Sequence, residues 1–308
     1  MEKTTTKKSR SAGTTTLLVF TTALNLIGLV LLIYVLYFLY RPTPVKQALI
    51  KTFDLRPNVE PGDGIEEELF TDPETGYTES IYYFRNPNNR TDRFIISIPG
   101  GGFIVSLPSF TSFRSMKNLN QDVVTFNYPV LFHTKTQVTL QFILNTVDHI
   151  MAVYQKEWGV NIKVSLMGTS AGGYYASKLL NSDRYLNDEQ NKYTFIDRFI
   201  GICGYYGYTS TDNTTLRTID RFYLNRWNNW LSPERGTCKR LPSTINTIFM
   251  TAESDFLKQC TDRYSQLHSQ LPLVFEGEHT FFSMTESPST QKAYEVFVDY
   301  VNANLESW

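Results

Sequence analysis

Residues 168–172 read Gly-Thr-Ser-Ala-Gly, where the branched apolar run "NIKVSLMG" (161–168) gives way to a helix-like pattern. G-x-S-x-G at a strand-to-helix corner can present a serine hydroxyl for nucleophilic attack. The sharp turn tolerates only small neighbours, and it leaves Oγ exposed at the C-terminal edge of a sheet, beside a helix N-terminus. The motif alone also fits an ordinary glycine-rich turn. A strand before it, a helix after it and Gly173 beside it favour a nucleophile at Ser170.

A serine hydroxyl near neutral pH needs a base. The chain has four histidines, His133, His149, His268 and His279. An elbow of this kind is followed along the chain by an acid and then a histidine, so His133 and His149 come too early. His268 falls inside the helix-like "DRYSQLHSQL", where a helical or solvent-facing role is the plainer reading. His279 follows the strand-like "PLVFEG" in the loop "EGEHTFF", which can carry imidazole to Ser170. The base also needs an orienting carboxylate. "IFMTAESDFL" ends a strand-like run with Glu253 and Asp255. Asp255 lies in the loop proper and is preferred; Glu253 is the runner-up, and capping the next helix is the alternative role.

Acyl transfer further requires N–H donors aimed at the developing oxyanion, each contributing about 3–4 kcal/mol. Pro99-Gly100-Gly101-Gly102-Phe103 follows the strand-like "RFIISI", and its glycines let the backbone approach a substrate. The N–H of Ala171 is placed to help. "GICGYYG" (201–207) is also glycine-rich but has neither a lysine nor G-x-G-x-x-G spacing, so it is no phosphate loop. No C-x-x-C or H-x-x-x-H pattern occurs. No metal site and no cofactor are expected.

These candidates must be positioned by regular elements. Short β-rich runs recur at 80–86, 93–100, 122–129, 161–168, 198–206, 244–252 and 272–278. The later ones are unbroken apolar stretches, as strands covered on both faces require. Helix-like segments at 137–157, 171–181, 257–270 and 289–304 alternate with them. That alternation predicts one α/β domain with a mainly parallel sheet flanked by helices. Residues 207–243 break the rhythm with the aromatic, helical "TIDRFYLNRWNNWLSPE". Together with residues 41–78, which mix Pro, Gly and acidic groups, they are expected to form a cap.

The 308 residues carry 29 Lys and Arg against 30 Asp and Glu, so nothing electrostatic points to nucleic acid. Apolar residues at 42% and aromatics at 14% suffice for a large core. Leu17 to Tyr40 contains no charge. As a helix it reaches about 36 Å, enough to span a hydrocarbon core of about 30 Å. It is long for a signal peptide, no small-x-small site ends it, and tyrosines cluster near its end before Arg41 and Pro42. A membrane anchor is expected at 17–40, with a cytoplasmic tail at 1–16 and a catalytic body at 41–308. Lys3, Lys7, Lys8 and Arg10 before the span weakly favour a cytoplasmic N-terminus. The sequons at Asn89 and Asn213 favour a lumenal body, hence a single-pass type II protein of the endoplasmic reticulum. Of the three cysteines, Cys203 reads as a buried thiol. Cys238 and Cys260 lie in polar surroundings and could pair in an oxidising compartment.

Four ordered blocks between about residues 90 and 300 resemble the hormone-sensitive-lipase-like branch of the α/β-hydrolases, the branch of arylacetamide deacetylase and the steryl acetyl hydrolases. "PGGGF" looks like its HGGGF loop and "GTSAGG" like its GDSAGG elbow. "WLSPERGTCKRLPSTINTIFMTAESDFL" is similar to its SP…LP…D-x-L stretch, and "EGEHTFF" to its G-x-x-H-G-F. The resemblance implies an α/β-hydrolase fold with a helical cap, a triad of Ser170, Asp255 and His279, and oxyanion donors on Gly101, Gly102 and Ala171. It implies an esterase, lipase or deacetylase acting on a small apolar ester or a lipid. An N-terminal signal anchor with a lumenal catalytic domain is likewise known in the branch. The chain departs from the pattern at Pro99, where the family has histidine, at Thr169, where it has aspartate, and at "NYPVLFH", where YRLAPE is common. The histidine's loop-bracing hydrogen bonds are therefore missing. A non-catalytic binding module on the same fold, or an amidase or acyltransferase with the same triad, are the alternatives.

Overall fold

Nearly every β-rich run in the sequence becomes a strand of one sheet. A computed structural model of the protein describes residues 28, 64–86, 93–103, 105–106, 108, 119, 121–130, 134–159, 161–186, 195–207, 238–279 and 288–303. The chain divides into Met1–Thr52 and Phe53–Trp308. The second unit carries the sheet. In chain order its elements are β1 (Ile65–Thr71), β2 (Thr78–Phe84), β3 (Arg93–Ile98), β4 (Asp122–Phe126), α1 (Thr136–Trp158), β5 (Lys163–Thr169), α2 (Ala171–Leu180), α3 (Asp183–Leu186), β6 (Ile196–Ile202), β7 (Asn246–Ala252), α4 (Lys258–Leu267), β8 (Leu273–Phe275) and α5 (Pro288–Asn302). The expected anchor at 17–40 lies outside the described residues apart from Gly28, as do Asn89, His133, Asn213 and 208–237 of the expected cap. No helix among the described residues is long and apolar enough to cross a membrane.

The eight strands are ordered β1-β2-β4-β3-β5-β6-β7-β8. From β4 to β8 all neighbours run parallel. The antiparallel pairings, β1 with β2 and β2 with β4, lie at one edge. The period-two alternation of strand side chains sorts the apolar residues into two layers. Phe94, Ile96 and Ile98 of β3, Val164 and Leu166 of β5 and Phe249 of β7 face one layer. There they meet α1 through Phe142, Val147 and Ile150, α2 through Tyr175 and Leu179, and α4 through Tyr264. Ile95, Met167, Ile200, Ile202 and Met250 face the other, against Phe297 and Val301 of α5. Buried Arg198 of β6 ties this layer down. Its guanidinium donates to the carbonyls of Val301 at 2.9 Å and Ala303 at 2.8 Å, where the end of α5 is electronegative.

Two expectations are corrected here. Residues 64–78, assigned from the sequence to a cap, form β1 and the turn into β2. The Asp72 carboxylate accepts the N–H groups of Glu74 and Thr75, each at 3.2 Å, and closes that hairpin. The acidic run Glu66-Glu67-Glu68 hid the strand, yet an edge strand is where charge is placed. Glu68 accepts from the Tyr83 hydroxyl at 2.7 Å and meets His149 Nε2 at 2.8 Å. The pairing of Cys238 with Cys260 is not formed either. Neither is in a disulfide, and both lie in the same apolar layer, each 1% exposed. Lys239 and Arg240 after Cys238 and Gln259 before Cys260 are exposed, while both cysteines are buried. Burial pushes the Cys238 thiol up to about 11, so it stays protonated near neutral pH.

Candidate active site

Parallel strands deliver their loops to one edge of a sheet, and the candidate residues all sit at C-terminal strand ends. Ser170 occupies the corner between β5 and α2 with φ 53° and ψ −119°. A non-glycine residue there is strained by on the order of 1–3 kcal/mol. Neighbouring backbone holds it in place: the Ser170 N–H donates to Ile202, and its carbonyl accepts from Gly173 and Tyr205, each at 3.0 Å. The hydroxyl caps no N–H of α2 and is left free for other work. Gly172 explains the small residues of the turn. A Cβ there would lie 2.0 Å from the Ile98 carbonyl oxygen, so only glycine lets α2 enter flush against the end of β3.

His279, beyond β8, reaches Ser170. Its Nε2 is 2.9 Å from Ser170 Oγ, and its Nδ1 is 2.7 Å from Asp255 Oδ1. A carboxylate only accepts, so the Nδ1 proton faces Asp255 and Nε2 is open to the serine proton. Asp255, beyond β7, has a fully buried side chain. Its Oδ1 also accepts the Leu257 N–H at 2.8 Å, and its Oδ2 accepts the Thr251 hydroxyl at 3.0 Å. Burial works to raise its pKa. The His279 hydrogen bond and the Leu257 N–H outweigh burial, and the carboxyl is held below the usual carboxylate range. Glu253, the runner-up acid, is exposed, and its N–H donates to the Phe275 carbonyl at 2.8 Å.

The remaining described histidines are engaged elsewhere. His149 meets Glu68 and stacks on Phe70 at 4.6 Å. His268 is no solvent-facing residue. Its Nδ1–H donates to the Tyr264 carbonyl at 2.8 Å, and its Nε2 accepts the Leu241 N–H at 3.0 Å.

The glycine loop after β3 lies against the serine. A Cβ on Gly100 would sit 3.0 Å from both Ser170 Cβ and the Thr169 oxygen. Gly101 at φ 133° and Gly102 at φ 61° take backbone conformations that favour glycine. Val105 N–H closes the turn on the Gly101 carbonyl at 3.0 Å. Ala171 opens α2, placing its N–H at the helix N-terminus directly after Ser170. Ser170, Asp255 and His279 are thus joined by hydrogen bonds, with Gly100 against Ser170, Ala171 next to it in the chain, and Gly101 and Gly102 following Gly100 in the same loop.

The sequence reading missed what braces this loop. Buried Tyr128, just beyond β4, donates its hydroxyl to the Pro99 carbonyl at 2.8 Å. Its N–H donates to Ser106 Oγ at 3.2 Å, and Asn127 Nδ2 donates to the Ser106 carbonyl at 2.9 Å. The loop is clamped at both ends. Its only signal was "NYP" straight after an apolar strand. Phe103 adds an apolar root, packed edge-on to Tyr174, Tyr175 and Tyr205 at 5.6–5.7 Å.

Cys203, Asp255 and His279 each place one potential metal ligand within 4.8 Å of the others. Asp255 Oδ1 and His279 Nδ1 are spent on each other. Burial, and then the Asp255 charge, push the Cys203 thiol far up, so no thiolate is on offer. This donor set does not fit a resident metal ion.

No protein-family model and no curated protein matches this sequence. Solved structures do match. An esterase from Pyrobaculum calidifontis superposes with a TM-score of 0.64 at 16% identity, over 84% of this chain and 89% of that one. The esterase LipW from Mycobacterium marinum gives 0.63 at 11% identity, over 84% of each chain. Carboxyl esterase 2 from the mycorrhizal fungus Tuber melanosporum gives 0.62 at 15% identity, over 85% of this chain and 99% of that one. The chain has the α/β-hydrolase fold. Within that fold, a nucleophile elbow follows a central strand, and loops beyond later strands supply an acid and a base. The α/β-hydrolase sheet here holds Ser170, Asp255 and His279 at the ends of β5, β7 and β8, and the glycine loop at the end of β3.

Proposed function

We propose that the protein is a membrane-anchored serine hydrolase that cleaves carboxylic esters of apolar alcohols, acetyl or short-acyl, or lipid esters, through an acyl-enzyme. The observation that carries this reading is the hydrogen-bond chain from Ser170 Oγ through His279 to Asp255. Its esterase neighbours in fold support the substrate class. In the proposed reaction His279 Nε2 takes the Ser170 proton as Oγ bonds to the acyl carbon. The carbonyl π pair moves to oxygen, which the Gly101, Gly102 and Ala171 N–H groups stabilise. Asp255 holds the resulting imidazolium. Collapse of the tetrahedral adduct breaks the acyl–oxygen bond, and Nε2 returns its proton to the departing alkoxide. Water, deprotonated by His279, then releases the acid and restores Ser170.

Fluorophosphonate labelling of the full-length chain beside Ser170→Ala tests the reading. Labelling and ester hydrolysis that both depend on Ser170 are expected. Their absence would reduce the fold to a binding module. Comparing an ester with the anilide of the same acid separates an esterase from an amidase. The anchor at 17–40 and the lumenal topology form part of the proposal. They predict that the full-length chain resists alkaline extraction from membranes and loses mass at Asn89 and Asn213 on endoglycosidase treatment.

A further inference from the structure

We propose that Phe256 forms the alcohol-side wall of the substrate site and selects esters of bulky apolar alcohols over esters of small ones. The inference rests on the ester-hydrolase reading and assigns one part of the substrate to one side chain.

Phe256 stands between two buried residues. Asp255 is 6% exposed and Leu257 2%, while the Phe256 ring between them is 54% exposed. A large apolar ring left in water next to a polar cluster has no packing explanation among the described residues. Its position gives it one. The ring centroid lies 4.2 Å from that of the His279 imidazole, tilted by 45°. His279 Nε2 faces Ser170 Oγ at 2.9 Å. The proton taken from the serine leaves on the alkoxide, so the ester's alcohol oxygen must come within hydrogen-bond reach of Nε2. The carbon body attached to that oxygen then lies around His279, within reach of an exposed aromatic face.

Among the described residues, the aromatic side chains behind the glycine loop offer no such surface. Phe103, Tyr174 and Tyr205 sit behind the glycine loop at 2–4% exposure, with their faces already filled by one another. Among the described residues, Phe256 is therefore the exposed aromatic contact for an incoming alcohol group. A compact or cyclic apolar alcohol gains from covering the ring; ethanol is too short to cover it.

The test uses full-length protein and acetates of cyclohexanol and ethanol, which share the acyl group and have leaving groups of similar basicity. Their kcat/KM ratio is compared in the wild type, Phe256→Leu and Phe256→Ala. Phe256→Ala is expected to lower the cyclohexyl-to-ethyl ratio about tenfold, with most of it regained in Phe256→Leu, the scale on which apolar pockets discriminate. The pH profile of kcat/KM is expected to keep its midpoints. A ratio unchanged in Phe256→Ala, with both esters slowed equally or the pH profile moved, would overturn the inference and assign the ring to His279 alone. That outcome leaves the hydrolase reading standing. Absence of Ser170-dependent turnover of either acetate would remove both.

Discussion

The Tyr128 hydroxyl donates to the Pro99 carbonyl at 2.8 Å in a buried setting. This bond sits where the resembled family has a bracing histidine, and it shows that the glycine loop keeps its anchor from outside. A side chain on the β4–α1 connection supplies what the loop's own first residue lacks. Tyr128→Phe removes only the oxygen and leaves the Pro99 carbonyl unpaired. A buried polar group left unpaired costs about 1–3 kcal/mol. Under the proposed mechanism, a loosened glycine loop should lower kcat about tenfold or more, since a full oxyanion donor is worth 10²–10³. Steady-state kinetics should show that loss in kcat with KM nearly unchanged. An equal loss through KM would mean the bond serves stability alone.

Asp255 and Glu253 lie in one loop but stand in opposite environments, one buried with three partners, the other in solvent. Asp255→Asn should cut kcat by about 10⁴, as the loss of an orienting carboxylate does in other triads. Glu253→Gln should alter the rate by less than about threefold, under 0.7 kcal/mol of barrier. Ester hydrolysis by both variants, with fluorophosphonate labelling rates alongside, checks the assignment. A large effect at Glu253 would exchange the roles.

The parallel core of the sheet was legible because its strands are covered on both faces and read as unbroken apolar runs, as "RFIISI" does. Ser170 was legible because backbone geometry forces small residues around it, and steric demands leave local marks. Asp255 and His279 followed from chain order and strand ends. What escaped depends on tertiary neighbours. β1 carries Glu66-Glu67-Glu68 because it borders solvent, so its pattern lacks a hydrophobic run. Tyr128 acts across to Pro99, and nothing in "NYP" says where the hydroxyl points. Cys238 and Cys260 are each the inward member of a polar segment, and burial cannot be read from flanking lysines.

The thiols give a direct check on that last point. Cys203, Cys238 and Cys260 are buried and none is in a disulfide. In native protein an alkylating reagent should add nothing within minutes, because thiols in apolar surroundings react slowly. In denaturant without reductant, intact-mass spectrometry should find all three alkylated. Only one adduct before reduction and three after it would restore the Cys238–Cys260 pair.

His268 makes stability depend on pH in a specific window. Burial lowers its pKa below the usual imidazole value of about 6.5; the Tyr264 carbonyl works against that and Arg240 adds to it. Nε2 accepts the Leu241 N–H, so a second ring proton would face a donor. The unfolded chain therefore binds the proton more readily than the folded one. Where the unfolded state holds more protons, stability rises with pH. The neutral bracket contributes in full above about pH 6.5. Its contribution is lost as pH falls from there through the lower folded value. Urea midpoints between pH 7.5 and 5 should fall more steeply for the wild type than for His268→Gln, which does not titrate. The variant should be the less stable at pH 7.5, and the gap should narrow towards pH 5. Parallel curves would mean that His268 takes up its proton equally in the folded and unfolded states and that other groups set the acid sensitivity.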